Sequence, residues 1–138
     1  MKNKIFKVII AGSRKFQDYD LLERKCDSIL SSINDEIWII SGVCEGTDIL
    51  GEKYAQKRGY YVLECPAPWD DIEGKPAKEI GINSRGQKYW KKAGPYRNEL
   101  MAQEADALIA FNLNNSVGTQ DMIRRAKTHG LKIREIIV

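Results

Sequence analysis

Residues 6–14 read FKVIIAGSR, and this stretch decides the fold class. Its apolar residues follow one another without polar alternation, which is typical of a strand covered by helices on both faces. The strand ends in Gly12-Ser13-Arg14, a turn in which glycine allows close backbone approach and arginine supplies donors suited to phosphate. The stretch therefore predicts a buried parallel strand with polar residues at its carboxyl end.

Strand-like and helix-like segments alternate along the rest of the chain. Continuous apolar runs predict further strands at 37–41, 60–65, 107–111 and 132–137. Three- and four-residue apolar spacing and end signals predict helices at 20–33, 48–58, 95–105 and 119–129, with Asp20 and Glu23 as a capping pair. With right-handed crossovers, this order predicts one Rossmann-like three-layer α/β domain over residues 1–138, a doubly wound parallel sheet of about five strands in the order 3-2-1-4-5.

The segment 67–93 interrupts the alternation and predicts an irregular insertion before the third helix. It contains prolines and glycines and no sustained hydrophobic period. Counted to Arg97, the segment has seven Lys or Arg against four acids, so that the whole net charge of +3 lies here. The aromatic residues Trp69, Tyr89 and Trp90 either cover a pocket or pack a solvated loop onto the domain.

Composition excludes several classes of protein. Of the 138 residues, 43% are apolar, but no run approaches the roughly 20 apolar residues that cross a bilayer. No secretory leader is recognisable, and we expect a cytoplasmic protein. The chain has three cysteines, Cys26, Cys44 and Cys65, which is an odd number, and they lack the spacing of metal ligands. We therefore expect neither a disulfide scaffold nor a metal site. No cofactor is expected.

Three turns opening helices fall at the carboxyl edge of the predicted sheet, where ligands of open α/β sheets bind. They are residues 12–14, 41–48 and 115–121. A tight turn with a threonine cap gives the same pattern, but three such turns on one edge favour an anion or nucleotide pocket. The chain has neither a Walker P-loop nor a GxGxxG dinucleotide motif. The ligand-binding residues predicted from these turns are Gly12, Ser13, Arg14, Ser41, Gly42, Gly46, Thr47, Asp48, Gly118 and Thr119.

A fourth element is the block Gly94-Pro95-Tyr96-Arg97-Asn98, in which proline starts a helix. A cation in the first turn of a helix interacts unfavourably with the helix dipole. Arg97 therefore has a role other than stabilising its own helix. We predict that Arg97 and Asn98 face an anionic ligand, the alternative being a surface arginine paired with a carboxylate.

These four blocks, in this order, resemble the YspA-like branch of the SLOG superfamily, which also contains DprA and the Lonely Guy phosphoribohydrolases. The resemblance covers nearly the whole chain. It implies a Rossmann-like domain that binds nucleotides or nucleotide-derived ligands at the strand ends, and it also implies a homodimer. By the same resemblance, Gly118 and Thr119 match the Gly-Thr of the Lonely Guy motif, Asp121 its first glutamate and Arg97 its catalytic arginine. This chain departs from that motif at Asn115-Ser116-Val117 and at Met122.

Three functions follow as hypotheses. The first is binding of a nucleotide or nucleotide-derived phosphate ligand without turnover. The second is hydrolysis of the N-glycosidic bond of a nucleoside monophosphate, with Asp121 and Arg97 as the catalytic residues. The third and more distant one is binding of single-stranded nucleic acid through the basic, aromatic insertion, with an affinity that falls steeply with salt.

Overall fold

The computed structural model describes residues 4–138 as strands and helices in alternation, interrupted once by a small hairpin. The strands are β1 (Ile5–Gly12), β2 (Glu36–Ser41), β3 (Tyr61–Glu64), β4 (Ile80–Ile82), β5 (Lys88–Trp90), β6 (Ala107–Asn112) and β7 (Lys132–Ile137). The α-helices are α1 (Tyr19–Leu30), α2 (Thr47–Arg58), α3 (Ala93–Glu104) and α4 (Val117–Thr128).

Five strands form one parallel sheet in the order β3-β2-β1-β6-β7. The predicted α/β class with a five-stranded parallel sheet is confirmed. The order reads 3-2-1-6-7 and differs from the predicted 3-2-1-4-5, because the segment between β3 and α3 contributes two further strands. β1 pairs with β2 on one side and with β6 on the other, with Ile10 opposite Ile109.

The apolar run of β1 is continuous because its two faces enter two different cores. Val8 and Ile10 lie in a core with α1 and α2, which includes Leu22 and Tyr54. Ile9 and Ala11 lie in a second core with α3 and α4, where the helices contribute Met101, Ala102, Met122, Ile123 and Ala126. The sheet is therefore the middle layer of three, as the lack of alternation predicts.

All four α-helices begin one or two residues earlier than predicted. Asp18, not Asp20, caps α1, and its Oδ1 accepts the N–H of Leu21 at 3.1 Å. α3 begins at Ala93, two residues before Pro95, whose missing N–H is tolerated in the first turn. At the C-terminal end of α2, Gly59 has a φ of 75° and forms a left-handed cap.

The insertion 67–93 is more regular than predicted. Ala77–Glu79 forms a 3-10 turn, and β4 and β5 form an antiparallel pair in which Gly81 lies opposite Tyr89. A Cβ on Gly81 would lie 2.7 Å from the ring of Tyr89, so the ring covers the glycine. Three-residue strands are too short to show a hydrophobic period, which is why the sequence reads as irregular.

Candidate functional site

A crevice of about 460 Å³ opens where β1 and β6 end side by side. The helix that follows β1, α1, packs on one face of the sheet, and the helix that follows β6, α4, packs on the opposite face. The crevice therefore lies at the topological switch point of the sheet. Eight of the twelve residues predicted to bind ligand line it: Gly12 at the end of β1, Ser13 and Arg14 after it, Asp48 on α2, Arg97 and Asn98 on α3, and Gly118 and Thr119 on α4.

The start of α4 supplies one wall of the crevice. Ser116 is the N-cap residue, and its hydroxyl pairs with that of Thr119 at 2.6 Å. The first N–H to bond back along the chain is that of Gln120, to the carbonyl of Ser116 at 3.0 Å. The N–H groups before it have no partner within the helix, and a Cβ on Gly118 would meet nothing within 4 Å. This helix end therefore presents open N–H groups and a positive dipole end.

Arg97 supplies the buried cation of the crevice, with 7% of the residue exposed. Its Nη1 donates to the carbonyl of Gly42 at 2.5 Å, its Nε to Oδ1 of Asn98 at 3.0 Å, and its Nη2 lies 3.6 Å from Sγ of Cys44. None of these acceptors is a carboxylate, and no ion pair within residues 4–138 includes Arg97. The guanidinium is thus held in place by neutral acceptors, without an ion pair.

Asp48 lies close to this cation and is buried to the same degree. Its Oδ2 accepts the N–H of Cys44 at 3.2 Å. Burial raises the pKa of Asp48 to about 6, and the Cys44 N–H and the charges of Arg97 and Arg14 only partly oppose this rise. Folding therefore removes the ionisable carboxyl of Asp48 from water at the crevice, which costs free energy.

The other four predicted residues shape the crevice without lining it. The hydroxyl of Ser41 donates to Glu52 at 2.6 Å. Gly42 offers its carbonyl to Arg97, and Thr47 Oγ1 donates to the carbonyl of Ser13 at 2.9 Å. Gly46 has a φ of 80° and packs against the backbone of Arg14, because a Cβ there would lie 2.6 Å from the arginine Cα. The glycines of this turn allow two chain segments to approach each other, not a ligand to approach the backbone.

Asp121 does not line the crevice. Its Oδ2 accepts Nδ2 of Asn98 at 2.9 Å and Nε of Arg125 at 3.0 Å, and Arg124 bonds its Oδ1. Burial alone would raise the pKa of Asp121, but these hydrogen bonds outweigh it and the pKa is lowered. The carboxylate is engaged from both sides, and its contact with Asn98 supports the side chain that holds Arg97.

Sequence reasoning missed two features of the crevice. Cys44, which is not among the predicted ligand-binding residues, is half-buried, lines the crevice and has its Sγ 3.6 Å from Nη2 of Arg97. Asn114 and Asn115 adopt φ values of 57° and 56° before α4, and Asn114 lines the crevice. The Asn-Asn pair after a strand could have indicated this left-handed turn, since asparagine tolerates that conformation.

The aromatic residues of the insertion do not cover the crevice. Trp90 packs on Tyr96 with ring centroids 5.5 Å apart, and a Cβ on Gly94 would lie 3.3 Å from the ring of Trp69. The main-chain N–H of Trp90 also donates to the carbonyl of Trp69 at 2.8 Å. These contacts cover the start of α3 and so help to fix the helix that presents Arg97.

Over the part of the chain that the structure describes, no helix is long and apolar enough to cross a membrane. Nor are three His, Cys, Asp or Glu side chains of residues 4–138 grouped as ligands of a metal ion would be.

The sheet order and the crevice at its switch point define a Rossmann-like α/β fold. Residues 6–71 match the family described as YspA, cpYpsA-related SLOG family, and the resemblance to the YspA-like branch of the SLOG superfamily is thereby confirmed. The X-ray structure of DNA processing protein A (DprA) from Streptococcus pneumoniae is similar, with a TM-score of 0.53 and 17% identity. That likeness covers 94% of this chain but only 58% of the DprA chain, and at this identity it shows the fold alone.

No curated protein matches the chain. The SLOG resemblance implies a nucleotide-related binding or processing role, with nucleotide or nucleic-acid related ligands.

Proposed function

We propose that this chain binds a nucleotide or nucleotide-derived phosphate ligand in the crevice between β1 and β6, as a binding module. The observation that carries the proposal is Arg97, a buried guanidinium that lines the crevice and contacts no carboxylate. A buried charge that is not directly paired with a carboxylate is costly, and an anionic ligand would reduce that cost.

The phosphate site is formed by Arg97 and the start of α4. Planar guanidinium donors suit a phosphate group, and open N–H groups at a helix start supply a second set of donors. Gly118 leaves room for the ligand because, apart from its chain neighbours and the nearby backbone of its own helix, nothing lies within 4 Å of where its Cβ would be. Arg14 also lines the crevice and adds a second positive charge.

The size of the crevice fits the proposal. A volume of about 460 Å³ lies within the usual range of small-molecule sites, roughly 300–1,000 Å³. The walls are mixed, with Met101 and Met122 beside the polar residues, so the crevice offers an apolar surface as well as a phosphate site. A base or sugar attached to the phosphate would occupy that apolar part.

Hydrolysis of an N-glycosidic bond is less well supported. A general base must reach the water or ligand atom from which it takes a proton, and Asp121 is held by Asn98, Arg124 and Arg125 away from the crevice.

The assembly as a homodimer and the cytoplasmic location remain predictions.

The test is calorimetric titration of the protein with nucleoside monophosphates and diphosphates, comparing wild type, Arg97→Ala and Arg24→Ala. Arg24 lies exposed on α1 and gives a matched control for the loss of one arginine. Charge-assisted hydrogen bonds contribute about 1.5–3 kcal/mol, so Arg97→Ala should weaken binding about tenfold or more, while Arg24→Ala leaves it unchanged.

Two results would contradict the proposal. Equal loss in both variants would mean that net charge, not the crevice, attracts the nucleotide. Release of free base from a nucleoside monophosphate by the wild-type protein would show turnover in place of binding.

A further inference from the structure

Asp48 is the second buried charged group of the crevice, and its environment leaves one carboxyl oxygen free. Its Oδ2 accepts the N–H of Cys44, whereas no donor within residues 4–138 reaches Oδ1. Asp48 lines the crevice although only 7% of the residue is exposed. Oδ1 is not among the fully buried side-chain atoms of residues 4–138 that lack a partner, so it is reachable from the crevice and can accept a hydrogen bond from a ligand.

Asp48 and Arg97 meet at the same turn. A Cβ on Gly42 would lie 2.7 Å from Oδ2 of Asp48 and also 2.7 Å from Nη1 of Arg97, so these two atoms are no farther apart than twice that distance. They nevertheless form no ion pair. The crevice therefore presents a cation and an acceptor side by side, each available to a ligand.

We propose that Asp48 selects phosphorylated sugars, accepting through Oδ1 a hydrogen bond from a sugar hydroxyl of the ligand whose phosphate contacts Arg97. This inference rests on the proposed function and adds the ligand class to it. The short separation of Asp48 and Arg97 favours a sugar hydroxyl, because an amino group of a base lies a whole sugar ring farther from a 5′-phosphate. A second phosphate at Asp48 is disfavoured, because the carboxylate would repel it.

The raised pKa of Asp48 agrees with this role. Burial is the largest cause of the rise, with the nearby Glu52 carboxylate adding to it. The folded chain thus bears a cost for Asp48 that a hydrogen-bond donor from a ligand would reduce.

The experiment measures the affinity of wild type and Asp48→Asn for four probes: ribose 5-phosphate, its 2-deoxy and 3-deoxy analogues, and inorganic phosphate. Asparagine has nearly the same shape and can still accept the Cys44 N–H. Wild type should bind ribose 5-phosphate about tenfold or more tightly than at least one deoxy analogue, since a hydrogen bond to a charged acceptor is lost. In Asp48→Asn this ratio should fall to about twofold or less.

Inorganic phosphate separates this inference from the proposed function. Its affinity for Asp48→Asn should equal or exceed that for wild type, because a negative charge near the phosphate site is gone; this binding also shows that the variant is folded. If wild type binds phosphate through Arg97 but does not distinguish the sugars, or if Asp48→Asn distinguishes them as well as wild type, the role of Asp48 is wrong and the phosphate site stands. If wild type binds none of the probes, the proposed function fails with it.

Discussion

The Nη1 of Arg97 donates to the carbonyl oxygen of Gly42 at 2.5 Å and so joins α3 to the turn after β2, 55 residues earlier in the chain. The contact orients the buried guanidinium toward the crevice. It also fixes the turn, since a side chain at Gly42 would collide with Arg97 and with Asp48. The position of the cation and the shape of the turn therefore depend on each other.

Two helical glycines should respond in opposite ways to alanine. In α2, a Cβ on Gly51 would lie 2.9 Å from Cγ2 of Ile10 in the first core, so Gly51→Ala should lower the free energy of unfolding by about 1–3 kcal/mol. In α4, a Cβ on Gly118 would lie in open space, so Gly118→Ala should raise the free energy of unfolding by up to about 1 kcal/mol, because alanine has the higher helix propensity. Urea unfolding of both variants measures this, and a stabilised Gly51→Ala would contradict the close packing of α2 on β1.

Asp48→Asn should stabilise the protein in a pH-dependent manner. The pKa of Asp48 rises from 3.8 to about 6 on folding, so the folded state favours the protonated carboxyl. Wild type therefore loses stability relative to Asp48→Asn as the pH rises from about 4 to about 6, by about 3 kcal/mol at most, and the difference stays constant above that range.

Thermal unfolding between pH 4 and pH 8 measures the difference in stability between Asp48→Asn and wild type. Asp20→Asn, at an exposed position on α1, is the control for the loss of one negative charge. A difference between Asp48→Asn and wild type that shrinks as the pH rises has the wrong sign for a buried, destabilised carboxylate.

Val43 should tolerate asparagine with a gain in stability. Its φ of 60° is unfavourable for a β-branched residue, and its N–H is held by Oγ of Ser41 at 3.1 Å. Val43→Asn removes this strain and loses little burial, since Val43 is 38% exposed, so the free energy of unfolding should rise by about 1 kcal/mol. Val117→Asn, on an exposed valine without positive φ, should give no such gain; equal effects in the two variants would show that the turn is unstrained.

Asp121→Asn should weaken ligand binding several-fold without abolishing it. The substitution disturbs the contact with Asn98, and Asn98 in turn holds Nε of Arg97. Loss of the carboxylate that Arg124 and Arg125 share should also lower the free energy of unfolding by about 1–3 kcal/mol. Calorimetric titration and urea unfolding measure the two effects; unchanged binding would show that Asp121 does not position Arg97.

The sequence predicted the layers and the location of the crevice because both follow from local patterns. The unbroken apolar run of β1 requires two covering layers, and polar turns after parallel strands collect at one edge of the sheet. The role of each glycine could not be predicted, since Gly46 beside Arg14 and Gly118 in open space occur in similar turns. Nor could the sequence show which carboxylates already have partners: Asp121 is held by Arg124 and Arg125 on its own helix and by the distant Asn98, whereas Asp48 accepts one N–H, that of Cys44.

The most direct test of the phosphate site is titration of a nucleoside monophosphate into wild type and Gly118→Asp. Asp is favourable in the first turn of a helix and replaces glycine, so the variant should be at least as stable as wild type. Its carboxylate would lie among the open N–H groups of α4 where the phosphate is proposed to bind. We expect saturable binding to wild type and at least tenfold weaker binding to Gly118→Asp; equal affinities would contradict the phosphate site at the start of α4.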